Sequence, residues 1–243
     1  MLSVPQIIGV VVVVLFASFV SKLSGFGFGL VVVPLMTLFM NPQDAIVIST
    51  LLGLVTTLNQ AWVEREHADR PVVHRLFLSA CAGMPFGLVV FVFVPERGLR
   101  VVLGVVVVAA AVLLSRGYRM HHSSRRAELS LGFVSGVLNT SLSTNGPPLV
   151  FLLHARRYEP NAFRGTISRV FLYSNAVSVT MFVGAGKVHG PAAMAALVAV
   201  PFVFLMQWLG AKVQPHLHGD RFRILVLSLL FLSGASAVAA AFR

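Results

Sequence analysis

Ser24-Gly25-Phe26-Gly27-Phe28-Gly29, with Pro34 beyond it, and Ser143-Thr144-Asn145-Gly146-Pro147-Pro148 interrupt apolar stretches at matching places in the two halves of the chain. Backbone unwound in hydrocarbon leaves N–H and C=O groups unsatisfied at several kcal/mol each. Such breaks persist only where they face protein, water or a ligand. Hydrophobic segments broken at corresponding places in two halves point to the binding site of a secondary transporter. The pair of breaks therefore reads as the centre of a small-solute transporter.

Composition agrees with a membrane setting. Of 243 residues, 57% are hydrophobic and 11% charged, with a mean hydropathy of +0.87; soluble domains carry about 25% charged residues. Apolar runs at 4–20, 45–63, 72–94, 99–115, 191–209 and 222–242 are each about long enough for a transmembrane helix. They leave no stretch for a soluble domain, so 1–243 reads as one all-α polytopic membrane domain of 8 to 10 segments. Lys22 follows the first apolar run instead of preceding it, which argues against a cleaved signal peptide. A lone Cys81 excludes an intrachain disulfide and a cysteine-based metal site. The net charge of +11 is read as basic loops at a membrane surface, not as a nucleic-acid footprint, because no basic-aromatic motif accompanies it.

The two halves, about 1–120 and 121–243, match element by element. Pro42-Gln43-Asp44-Ala45 with Ser49-Thr50 corresponds to Pro160-Asn161-Ala162-Phe163 with Thr166 and Ser168. Pro85 corresponds to Pro201, and Arg97-Gly98-Leu99-Arg100 to Asp220-Arg221-Phe222-Arg223. If each break is a re-entrant hairpin, one face collects fourteen of the 19 Lys and Arg. The other keeps Arg97, Arg100, Lys187 and Arg243, with Arg169 left inside a span. Treating each break as one continuous span divides the charges almost evenly. The positive-inside rule favours hairpins, hence five segments per half, inverted repeats, and both termini periplasmic. The arm at 147–155 spans about 14 Å at 1.5 Å per residue, too short for a core of about 30 Å.

The first tip, Ser24, Gly25, Gly27 and Gly29, resembles a phosphate loop only superficially, since no Lys-Ser/Thr or Rossmann pattern follows. Close helix packing and binding are both compatible with it. The second tip is richer: Asn139, Thr140, Ser141, Ser143, Thr144 and Asn145 precede Gly146, polar groups with no ordinary place in hydrocarbon. They read as pore- or ligand-facing, with interhelical hydrogen bonding as the alternative. Helix N-termini at such tips present free N–H groups and partial positive charge, which favours an anion. Arg169, well inside a span, either supplies further charge to a cavity or snorkels to the surface. Asn175, Thr57, Asn59, Gln60 and Gln207 are polar groups deeper in spans. No carboxylate lies at mid-span to relay protons or bind sodium. Transport then runs on the substrate gradient and membrane potential, or on a cation held by carbonyls at the breaks. His121-His122 and His216-x-His218 are weak metal motifs in basic loops, no cofactor is implied, and no nucleophile–base–orienter set marks an enzyme.

These residues resemble the TauE/SafE family, the sulfite/organosulfonate exporters. The resemblance is carried by the glycine-rich first break with Val33-Pro34-Leu35, then Pro42 through Thr50. It returns in Gly132, Ser135-Gly136, Asn145-Gly146-Pro147-Pro148, Pro160 and Arg164-Gly165-Thr166. It implies movement of sulfite, organosulfonates or related sulfur anions across the bacterial inner membrane, by a transporter or facilitator. An anion-selective channel is the alternative. The glycine-rich tip common in the second half of such proteins reads here as Ser141-Leu142-Ser143-Thr144-Asn145-Gly146, which adds hydroxyls. The expected partners are a small anion and membrane lipid, with a homodimer left open.

Overall fold

A computed structural model describes residues 3–25, 27–116 and 125–213. Among these residues all regular structure is helical. The helices are α1 (Val4–Ser24), α2 (Phe28–Met36), α3 (Pro42–Val63), α4 (Arg70–Phe93), α5 (Glu96–Arg116), α6 (Arg125–Leu142), α7 (Gly146–Ala155), α8 (Pro160–Gly184) and α9 (Gly190–Val213). The apolar run at 222–242, the match at Asp220–Arg223 and both His motifs lie outside the described residues.

Prolines and caps set the helix starts. Pro5, Pro42, Pro71, Pro147 and Pro160 each sit in a first turn, where a missing N–H is no loss. Asn41 accepts from the Gln43 N–H at 2.8 Å and Asp69 from the Val72 N–H at 3.2 Å, each satisfying an orphan first-turn donor. Pro85 and Pro201 lie inside α4 and α9, which run straight through them.

Among the described residues five helices, α1, α3, α4, α8 and α9, are long and apolar enough to cross a membrane. By contrast α2 has nine residues and α7 ten, about 14 and 15 Å at helical rise. Each short helix follows a break after a longer one, and α6 and α7 meet over Leu142–Gly146, where the arms were expected.

With lipid outside, close backbone approach replaces hydrophobic collapse as the cohesive force between helices. The most extensive packing is α4 on α6, followed by α1 on α9 and α3 on α8. Gly83 and Gly87 on α4 and Gly132 and Gly136 on α6 all lie in the seam between these two helices. A Cβ on Gly136 would lie 1.9 Å from the Ala80 carbonyl oxygen, and one on Gly83 2.1 Å from that of Phe133. Large apolar side chains such as Ile8, Trp62, Phe86, Phe93, Leu197 and Trp208 remain on the outside, as a lipid-facing surface requires.

At one end of the bundle the α3–α4 and α7–α8 connections are tied together. Thr166 Oγ1 accepts from the Asp69 N–H at 3.0 Å, and Tyr158 donates to Asp69 Oδ2 at 2.6 Å. Glu128, 3% exposed, is clamped between Arg75 (Nε to Oε2, 2.5 Å) and Arg156.

Candidate functional site

The two breaks meet. Gly29, in the first turn of α2, lies so close to the second tip that a Cβ there would stand 1.8 Å from the Ser143 carbonyl oxygen. The chain makes the first turn with Gly25 at φ 78° and Gly27 at φ 89°, left-handed geometry that glycine adopts freely. At the second tip Ser143 occupies the same region, φ 55°, with a side chain attached. Its hydroxyl bonds Ser49 Oγ of α3 at 3.0 Å, which anchors the strained residue.

Between the tips lies a pocket lined by Ser21 of α1, Gly27 through Leu30, Ser49, Gly53, Thr57 and Gln60 of α3, Ser143 through Gly146, and Phe171 and Asn175 of α8. It holds about 30 Å³, measured to the centre of a water-sized sphere, room for two or three waters. Gly27, at the N-cap of α2, and Asn145, at that of α7, both line it, and neither helix has a side-chain cap bond. The first-turn N–H groups of Phe28, Gly29 and Leu30 have no intrahelical acceptor. In α7, Pro147 and Pro148 carry no N–H, which leaves Gly146. Two positive helix ends therefore face one small space.

Side chains add donors without charge. Thr144 Oγ1 and Asn145 Nδ2 are buried with no hydrogen-bond partner, at 1% and 8% exposure. Leaving a buried polar group unmade costs roughly 1–3 kcal/mol, so both atoms are poised for an occupant. No lining residue carries a charge. An array of uncharged donors at two helix N-termini suits a small oxyanion.

Of the residues singled out from sequence, Gly27, Gly29, Ser143, Thr144, Asn145, Gly146 and Asn175 come together here. Ser24 bonds the Val20 carbonyl at 2.9 Å, and Gly25 forms the turn itself. Asn139 donates to Ser178 Oγ at 2.8 Å, and Ser141 to the Val137 carbonyl at 2.6 Å, both away from the lining. Arg169 also lies off the lining and donates through Nη2 to the Arg65 carbonyl at 2.9 Å. Thr57 and Gln60, noted from sequence as deep polar groups, do line the pocket. Ser21, Ser49, Gly53 and Phe171 had drawn no attention as site residues; a hydroxyl at mid-span on α3 was the available signal for Ser49.

Two interrupted segments thus meet at a buried polar pocket within a bundle that holds several helices long and apolar enough to cross a membrane. The sulfite exporter TauE/SafE family model matches residues 10–237, so the chain belongs to that family. A probable inner membrane transporter protein, TsaS of Comamonas testosteroni, is 29% identical over 102 residues; the match covers 42% of this chain and 43% of that relative. No solved structure matches the chain. The protein is a multi-pass integral inner-membrane protein.

Proposed function

We propose that the protein is a secondary transporter or facilitator for a small sulfur oxyanion, sulfite or an organosulfonate, bound between the two tips. One observation carries the reading: the unpaired N-termini of α2 and α7 converge on a pocket that also holds the unpartnered Thr144 Oγ1 and Asn145 Nδ2. The substrate's charge is met by dipoles and donors, with no cation in the lining. The family's printed name supplies the sulfur chemistry.

The inverted-repeat arrangement belongs to the same proposal, and the packing supports it. Setting α1, α2, α3 and α4 against α6, α7, α8 and α9 turns the α4–α6 contact into α9–α1, and the α3–α9 contact into α8–α4. Each of these four pairs packs closely. Gly25 and Ser143, 118 positions apart, are both left-handed, and the N-caps Gly27 and Asn145 share that spacing. Two such halves rocking about the tips would expose the pocket to alternate sides.

Uptake of labelled sulfite into proteoliposomes tests it, with sulfoacetate, sulfate and acetate alongside. Saturable flux with trans-stimulation supports a carrier. Conductance far above carrier turnover, without trans-stimulation, would make the protein an anion channel. Absence of flux for all four from folded protein would remove the anion reading.

A further inference from the structure

Among the described residues lining the pocket, only Gly27 and Gly29 keep part of their surface exposed; the others are buried. The way in therefore lies at the α1–α2 turn. The Cβ side of Gly27 is open, with nothing within 4 Å. Beside this opening runs a cation: Arg164 Cγ is 3.0 Å from where a Gly25 Cβ would stand, and Cδ 3.6 Å. Glycine at 25 is what lets the arginine stem lie against the turn.

The arginine's own hydrogen bonds run to neutral groups. Nε donates to the Pro160 carbonyl and Nη2 to Asn161 Oδ1, both at 3.2 Å and both neutral acceptors. Among the described residues no carboxylate lies within 4.0 Å of it. It sits towards the N-terminal end of α8, where the helix gains nothing from a cation. Lys22 is within electrostatic reach but is also near Glu64, which offsets its charge. We propose that Arg164 is the anion-selecting charge at the mouth of the pocket, drawing small oxyanions to the helix N-termini and repelling cations. It acts at entry, so its effect belongs to association rate and ionic-strength dependence. At the second tip the position 118 residues earlier is Ile46, so the charge guards one approach.

This rests on the pocket being the anion site, and its test needs no transport. In a Cys81→Ser background, Asn175→Cys places a thiol in the lining. Its modification rate is measured with a negatively charged sulfonatoethyl methanethiosulfonate and a positively charged trimethylammonium analogue. The anionic reagent is expected to react faster, and Arg164→Gln to lower the anionic-to-cationic rate ratio by about tenfold at low salt. Arg164→Lys and Arg169→Gln are expected to keep the ratio. An unchanged ratio in Arg164→Gln overturns the proposal. So does an equal fall in Arg169→Gln or in Arg164→Lys, or a thiol that neither reagent reaches. Sulfite flux in the wild type with an unaltered rate ratio in Arg164→Gln would sink the gatekeeper alone and leave the transport reading standing.

Discussion

Thr144 and Ser143 separate binding from folding at the scale of single residues. Thr144 Oγ1 has no hydrogen-bond partner within the protein, so Thr144→Val breaks no bond of the fold. Its thermal midpoint should stay level or rise while sulfite affinity falls about tenfold, the worth of one hydrogen bond to an anion; a lowered midpoint would mean that the hydroxyl is structural. Ser143 is held left-handed at a cost of about 1–2 kcal/mol. Ser143→Gly relieves that cost and loses the Ser49 bond, whereas Ser143→Ala only loses the bond. The glycine variant should therefore be about 1 kcal/mol more stable than the alanine variant, measured by thermal unfolding in detergent. The tip hydroxyls were legible in the sequence because polar groups clustered in an apolar run have no place in lipid. Arg169 was not: sequence gives its depth along α8, while the carbonyl that engages it comes from Arg65, 104 positions away.

The helices make their own predictions. Gly136→Ala drives a methyl into the Ala80 carbonyl across the α4–α6 contact, and overpacking of this kind costs about 1–3 kcal/mol. The variant should unfold at a lower temperature; unchanged melting would mean that α4 and α6 pack otherwise. Between the α3–α4 and α7–α8 connections, burial and the hydrogen bond to Asp69 push the Tyr158 hydroxyl from 10.0 up to about 12. The folded state thus prefers the protonated phenol. Its contribution is fully present below pH 10 and is lost as pH rises towards 12. The difference in melting temperature between wild type and Tyr158→Phe should hold constant to pH 10 and then narrow; a difference that grows with pH would contradict the bond. Helix starts were readable from proline in first turns, and the short arms from the Gly-Pro-Pro after Asn145. The helix-to-helix partners were not, since the α4–α6 seam depends on Gly83 falling opposite Phe133 and Gly136 opposite Ala80, residues from different halves.

Across the whole molecule, the basic connections at 64–69 and 156–159 share one end and Lys187 belongs to the other on the hairpin reading. Cysteines at Arg70 and Lys187, corresponding positions of the two halves, should then label from opposite sides of intact cells, Lys187→Cys from outside; labelling of both from one side would refute the inverted halves. The proposed duplication rests on pairs such as Pro42 with Pro160 and Gly27 with Asn145, each 118 positions apart, but the meeting of the tips was not legible, as no local pattern says that Gly29 touches Ser143. Under the proposed function, that touch would give the cargo a mechanical part. The N-terminal ends of α2 and α7 carry partial charge of like sign and face one pocket, so they repel each other. An oxyanion in the pocket reverses the sign of that force. Under the proposed function the passenger would then serve as a rivet, cancelling the repulsion when it binds and restoring it when it leaves.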